Sequence, residues 1–132
     1  MRQITKDIEM TIDGSPQGFR LTKLDAFSGV MLLRLLMRVE EKIPRPTMLD
    51  LVASLSEAEL RSVMTAVLNH TAVLLPAGPH PVMTGAEWGY PELEHDTPSC
   101  MKLLLEGIAW TLSGFFGEGQ SGPETGRPDT AP

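Results

Sequence analysis

The stretch 25–43 constrains the fold most, because it is too apolar for a helix that buries only one side. Asp25 is a favourable N-cap, and Pro44 and Pro46 end any helix that begins there. Nine large apolar residues cover most of the helical circumference and leave one polar stripe. That stripe consists of Arg34, Arg38, Glu41 and Lys42. Such a helix either lies at the centre of the domain or presents part of its surface to another chain.

The residues before this helix predict a β-hairpin. Apolar residues at positions 4, 8, 10 and 12 alternate with polar ones, which is the period of a strand with one solvated face. Asp13-Gly14 provides a turn, and a second extended segment covers 19–24. Because Pro16 and Gly18 follow the turn, the predicted loop has four or five residues.

Three further helices are predicted after Pro46, and the first is a short one over 48–55. Ser56 and Glu59 form a capping box that begins an amphipathic helix, which ends between His70 and Leu75. Thr97 as N-cap and Pro98 at the first helical position begin the last helix. Its apolar residues form one stripe of Met101, Leu104, Leu105, Ile108, Leu112, Phe115 and Phe116, and an opposite stripe that starts with Leu103 and Trp110.

The segment 75–98 is rich in Pro and Gly and predicts an irregular hairpin around Gly85 or a long ordered loop. Loops of this length within a domain are usually functional or held in place by contacts. We therefore expect an α+β fold, with an N-terminal β-hairpin followed by three to four helices and an irregular Pro/Gly-rich loop or hairpin before the last helix. The expected domain covers residues 1–116, and residues 117–132 are predicted to be a disordered Gly/Pro-rich tail.

The net charge of −6 is unevenly distributed along the chain. Residues 1–45 hold 8 basic and 6 acidic residues, whereas residues 46–132 hold 3 basic and 11 acidic ones. The acidic total argues against nucleic acid as a partner. No apolar run approaches the roughly 20 residues of a membrane span, so we expect a soluble protein that is not exported and binds no membrane. A single cysteine, Cys100, excludes an internal disulfide, fits a reducing cytoplasm and is expected to face the core.

Signals for catalysis or metal binding are few. The candidate zinc ligands are His70, His80, His95, Cys100 and Asp96. Neither CxxC nor HExxH spacing is present among them. Glu92, Glu94 and Asp96 alternate along a segment expected to be extended, which would place three carboxylates on one side; a solvated acidic edge is the alternative. No glycine pattern of a nucleotide-binding loop lies between a strand and a helix. We expect no enzyme, no cofactor and no metal.

Apolar surface is the remaining functional signal. Two helices with broad apolar circumferences and 8 methionines favour a protein that binds other chains, helical ones in particular. The alternative is that these helices form the centre of the protein's own core. Arg34 and Arg38 lie four residues apart on one side of the first helix. They form either a solvated basic surface or a docking site for an acidic partner.

Several segments together resemble the tail assembly chaperones of long-tailed bacteriophages and prophages, over residues 12–116. The segments are Asp13-Gly14, FRLTKLDAF (19–27), LPAG (75–78), PVM (81–83), GYPEL (89–93), Asp96-Thr97 and WTLSGFF (110–116). Their motifs are structural rather than catalytic. The resemblance implies a non-enzymatic assembly chaperone that binds the helical tape measure protein and keeps it soluble until tail tube subunits polymerise around it.

The same resemblance implies a location in the host bacterial cytoplasm and absence from the mature virion. In many relatives a frameshifted longer form recruits tail tube protein, and members of the family often form homo-oligomers, so both stay open as further partners. Two other functions also stay open. One is a structural tail completion or connector protein that is retained in the virion. The other is a small carboxylate- or metal-dependent hydrolase.

The predicted protein-binding surface is drawn from the two broad apolar helices and from the end of the expected domain. Its residues are Phe27, Leu32, Leu36, Val39, Trp110, Phe115 and Phe116. They are chosen from helix periodicity and position, and some of them are expected to belong to the core.

Overall fold

A computed structural model describes residues 3–113 and has the predicted α+β fold. Its strands are β1 (Thr5–Ile12), β2 (Ser15–Thr22), β3 (Thr71–Leu75), β4 (Gly78–Pro81), β5 (Met83–Thr84) and β6 (Glu87–Trp88). Its helices are α1 (Ala26–Glu40), α2 (Met48–Ala53), α3 (Glu57–Asn69), α4 (Pro91–Glu94) and α5 (Thr97–Thr111). None of these helices is long and apolar enough to cross a bilayer. The predicted boundary at residues 116 and 117 lies outside the described residues.

The N-terminal β-hairpin is confirmed, but its loop is shorter than predicted. Ile12 pairs with Ser15, so only Asp13 and Gly14 connect the strands. Both have positive φ, +53° and +79°, as a type I′ turn requires. The prediction placed Pro16 in the loop, whereas it lies in β2 opposite Thr11. Proline has no N–H to donate, but no hydrogen bond to β3 is lost at this position, because β3 pairs with β2 only from Gly18 onward.

The hairpin extends into a four-stranded antiparallel sheet in the order β1-β2-β3-β4. The segment 71–75 was predicted as the end of a helix, but it forms β3 and pairs with residues 18–21 of β2. One face of the sheet buries apolar side chains from all three long strands: Met10, Ile12, Phe19, Leu21 and Val73. The other face carries an ion pair between Asp7 and Arg20 at 2.8 Å. The Arg20 guanidinium holds the pKa of Asp7 below its ordinary value.

Side-chain caps set the starts of the three longer helices. Asp25 caps α1 as predicted, by accepting hydrogen bonds from the backbone N–H and the hydroxyl of Ser28. The predicted capping box of Ser56 and Glu59 begins α3. The N-cap of α5 is Asp96 rather than Thr97, so this helix begins one residue earlier than predicted. Helix α1 ends at residue 40, three residues before the predicted end.

Helix α5 is the central helix of the domain, because it contributes to both buried apolar clusters. Cys100 and Leu103 lie in a cluster with the inner face of the sheet. Leu104, Ile108 and Leu112 lie in a second cluster with α1, α2 and α3. Up to Leu112, the last of their described residues, both apolar stripes predicted for this helix thus contribute side chains to a buried cluster. Burial also raises the pKa of the Cys100 thiol, as expected for a cysteine that faces the core.

The Pro/Gly-rich segment is ordered as two hairpins and a short helix. Strands β3 and β4 form one hairpin, and β5 and β6 form a second around Gly85, as the irregular-hairpin prediction proposed. Tyr90 packs edge-on against Phe19, with ring centroids 5.9 Å apart, and so fixes the end of the segment to the sheet. The prediction of three alternating carboxylates is wrong, because Glu92 and Glu94 lie in α4 and Asp96 caps α5.

Candidate protein-binding surface

Helix α1 buries one side and leaves a second apolar side in solvent. Its buried residues follow one another at intervals of three and four: Gly29, Leu32, Leu36 and Val39. Four large apolar residues lie on the other side, with exposed fractions of 77% for Phe27, 54% for Val30, 44% for Met31 and 47% for Met37. We call these four residues the α1 face. They are four of the six large apolar residues that the described chain leaves exposed.

Three of the predicted binding residues belong to the core. Leu32, Leu36 and Val39 are 4%, 2% and 8% exposed and pack in the cluster with α2, α3 and α5. As side chains of the folded chain they have no free surface with which to bind a partner. Only Phe27, of the residues predicted on this helix, lies on the α1 face.

Val30, Met31 and Met37 were missed by the sequence prediction, although the two arginines give a signal that could have found them. Charged side chains on a helix mark its solvated side. Residues three or four positions from Arg34 share that side, which selects the missed residues rather than the buried leucines. The polar stripe and the exposed apolar residues thus form one surface.

A shallow groove runs between α1 and α3 beside the α1 face. Its volume is about 190 Å³, and its lining is mainly apolar. Phe27 and Met31 form the α1 wall, whereas Ser62 and Ala66 form the wall on α3. The volume is below the roughly 300 Å³ at which small-molecule pockets begin. The groove therefore suits a side chain from a docked chain better than a free ligand. We call it the α1–α3 groove.

The charge of this surface is positive. No acidic residue occurs in α1 before Glu40, whereas Arg34 and Arg38 both lie among the exposed apolar residues. Arg38 forms an ion pair with Glu59 across the α1–α3 boundary. The pKa of Glu59 is lowered by a hydrogen bond from the backbone N–H of Ser56 and by the Arg38 guanidinium. Within residues 3–113, the guanidinium of Arg34 forms no ion pair, and its one side-chain hydrogen bond is a long one of 4.0 Å to the sulfur of Met31.

Trp110 is held within the chain. Its indole N–H donates to the carbonyl of Ile4 at 3.0 Å. The ammonium groups of Lys23 and Lys6 lie 4.6 and 5.8 Å from the ring centroid, which are cation–π distances. The residue joins the end of α5 to the start of β1, and it does not belong to the α1 face. Phe115 and Phe116 lie outside the described residues.

The candidate metal ligands of the described residues do not come together as one cluster. The Nδ1 of His70 donates to the carbonyl of Ala66, 2.8 Å away near the end of α3, while His80 lies on β4. The Asp96 carboxylate accepts from the backbone N–H of Ser99, and Cys100 is buried. Within residues 3–113, no three side chains of the His, Cys, Asp and Glu types are close enough to hold a metal ion.

Comparison with protein-family models, with curated proteins and with solved structures found no match to this chain.

Proposed function

We propose that the protein is a non-enzymatic assembly chaperone of a long-tailed bacteriophage or prophage. It binds the helical tape measure protein in the host bacterial cytoplasm and keeps that protein soluble until tail tube subunits polymerise around it. It then leaves, and is absent from the mature virion. The observation that carries the proposal is the α1 face, where four large apolar side chains lie exposed on one helix.

The α1 face suits a chaperone because it can bind apolar segments of different sequence. Two of its four residues are methionines, whose flexible side chains can repack against varied apolar sequences. Arg34 and Arg38 keep the surface charged, so that the free protein does not present an uninterrupted apolar patch. A long helical partner exposes many similar apolar stripes, and one chaperone surface can bind several of them.

The size of the face fits a complex that must later dissociate. Fully burying one large apolar side chain contributes about 1.5–3 kcal/mol, and these four are already half buried on average. Their burial therefore contributes only a few kcal/mol, which is comparable to the lower estimates for the entropic cost of association. Affinity per copy is modest, and strong retention comes from many copies on one long chain.

Co-expression tests the proposal. The full chain should keep the largest protein encoded beside it soluble and should co-purify with it, while mass spectrometry of purified virions should not detect this chain. The Phe27→Ser variant should lose most of that solubilising effect. Leu49→Ser is the matched control, because Leu49 is a 49% exposed apolar residue on α2, away from the α1 face.

Two results would overturn the proposal. One is a stoichiometric amount of this chain in purified virions, which would favour a retained tail completion or connector protein. The other is an insoluble tape measure protein in the presence of the wild-type chain.

A further inference from the structure

We infer that the α1 face and the α1–α3 groove bind an amphipathic helix whose apolar stripe is bordered by acidic residues. The inference rests on the proposed function in that it uses the same surface, and it specifies the chemistry of the partner segment. Shape, charge and the absence of strand-pairing groups each support it.

The spacing of the α1 face matches a helical partner. From Phe27 to Met37 the exposed residues extend over ten positions, or about 15 Å along the helix axis. Val30 and Met31 follow Phe27 at three and four positions, and Met37 follows Val30 at seven, which are the intervals of a stripe along one side of a helix. A second helix packed along this side would present apolar residues at the same intervals over about three turns.

An extended peptide would gain less from this surface. Peptides that bind as strands depend on main-chain hydrogen bonds to the free edge of a sheet. The main-chain groups of α1 are paired within the helix, so its side offers a strand no such partners. A helical segment satisfies its own backbone and requires only the side-chain contacts that the face supplies.

The α1–α3 groove allows close approach on one flank. Its floor is formed by Leu32, Leu35, Val63 and Val67, and its α3 wall by the short side chains of Ser62 and Ala66. A partner helix can therefore lie low against α3 and insert an apolar side chain between Met31 on the α1 wall and Ala66 on the α3 wall. Desolvation of such a side chain is favourable because the groove is lined by apolar atoms on both sides.

Charge decides which amphipathic helix fits. Arg34 has no ion pair within the described residues, and it lies in the middle of the α1 face. Arg38 shares its charge with Glu59 at one end of the groove. A carboxylate beside the partner's apolar stripe would pair with Arg34, whereas a lysine there would meet the like charge of Arg34. The surface should therefore discriminate by charge as well as by hydrophobicity.

Two fluorescent peptides of about 18 residues, or five helical turns, test this discrimination. Both carry the same leucine stripe, with glutamates beside it in one peptide and lysines in the other. Fluorescence anisotropy with the full chain at about 0.05 M salt should give on the order of tenfold tighter binding of the acidic peptide. The difference should shrink at about 0.5 M salt, where surface charges are screened over a few Å.

Variants assign the discrimination to one residue. Arg34→Gln should remove most of the preference for the acidic peptide, and Met31→Ser should weaken the binding of both peptides. Lys102→Gln is the control: Lys102 is an exposed basic residue on α5 that belongs neither to the α1 face nor to the lining of the α1–α3 groove, and this change should leave both affinities unchanged. Circular dichroism checks that each variant is folded.

Equal affinity for the two peptides, or a preference that Arg34→Gln leaves intact, would overturn the inference. So would a dimer, detected by sedimentation, that Met31→Ser dissociates, because a second copy would then cover the α1 face. Failure of the tape measure experiment alongside a clear charge preference would instead reject the phage function and leave this inference standing.

Discussion

The side-chain amide of Asn69 forms two hydrogen bonds with the backbone of Gly85. Its oxygen accepts from the Gly85 N–H at 2.7 Å, and its nitrogen donates to the Gly85 carbonyl at 2.9 Å. The same nitrogen donates to the carbonyl of Thr65 one turn earlier in α3. Strands β5 and β6 have only two residues each, too few for a stable isolated hairpin. The end of α3 therefore holds the turn in place.

Replacing Asn69 should release the β5–β6 hairpin. Asn69→Ala removes all three side-chain hydrogen bonds, and we expect a loss of about 1–3 kcal/mol in the free energy of unfolding. Amide hydrogen exchange measured by NMR should be faster at Gly85. Thr84→Ala, an exposed change in the same hairpin, is the control. Unchanged protection of the Gly85 amide in Asn69→Ala would show that other contacts hold the turn.

Gly107 permits the close approach of α5 to α3. A Cβ at this position would lie 2.5 Å from the Cγ1 of Val67, so in Gly107→Ala either the Val67 side chain or one of the two helices must shift. We expect a loss of about 1–3 kcal/mol in chemical denaturation, despite the better helix propensity of alanine. Gly29→Ala is the matched control, because its Cβ would meet Thr111 at an ordinary 3.5 Å. That variant should be neutral or more stable by up to about 1 kcal/mol.

A double variant assigns the effect of Gly107→Ala to this one contact. Val67→Ala removes the methyl group that the new Cβ would strike, although it leaves a small cavity in a well-packed cluster. When Val67 is already alanine, Gly107→Ala should therefore lower the free energy of unfolding by less than it does in the wild-type protein. Strictly additive losses would mean that the two residues are not coupled.

Acid should destabilise the protein through carboxylates on its surface. Arg20 lowers the pKa of Asp7 from 3.8, and the Ser56 N–H and Arg38 lower that of Glu59 from 4.5. A carboxylate whose pKa is lower in the folded state stabilises the fold fully above its unfolded pKa. That stabilisation is lost as the pH falls through the folded value. The melting temperature should thus be constant near neutral pH and fall below about pH 4.5.

Glu59→Gln tests the acid prediction at one site. It removes the charge that pairs with Arg38, so the fall in melting temperature below pH 4.5 should be shallower than in the wild type. Glu57→Gln, at the exposed start of the same helix, is the control and should follow the wild-type curve. An identical acid profile for Glu59→Gln would exclude Glu59 as a contributor.

Local signals predict much of this fold, because caps and turns act over a few residues. Asp25, the Ser56–Glu59 box and Asp13-Gly14 each place the start of an element within one or two residues. The wrong prediction of helix at β3 has a different cause. The sequence TAVLL continues the apolar spacing of α3, and its pairing with β4 and with β2, at least 50 residues away, makes it a strand.

The candidate surface was harder to predict, because periodicity identifies apolar sides without saying what covers them. Helices α1 and α5 both have apolar residues on two sides. Within the described part of α5, the sheet packs against one stripe and the other helices against the second, since Leu103 and Leu104 lie in different clusters. For α1 one side stays exposed. Whether the second apolar side of a helix is covered depends on where that helix lies in the fold. The arginines of α1 are the one local sign that its second side is exposed.

Adjacent residues of α1 should respond oppositely to the same substitution. Leu36 is 2% exposed, so Leu36→Asp would bury a carboxylate without a partner and cost more than about 4 kcal/mol. Because small domains are stable by only about 5–15 kcal/mol, this variant should be largely unfolded or melt far below the wild type. Met37 is 47% exposed on the α1 face, so Met37→Asp should cost within about 1 kcal/mol. Thermal melts followed by circular dichroism separate the two, and similar losses in both variants would mean that α1 packs with a different side inward.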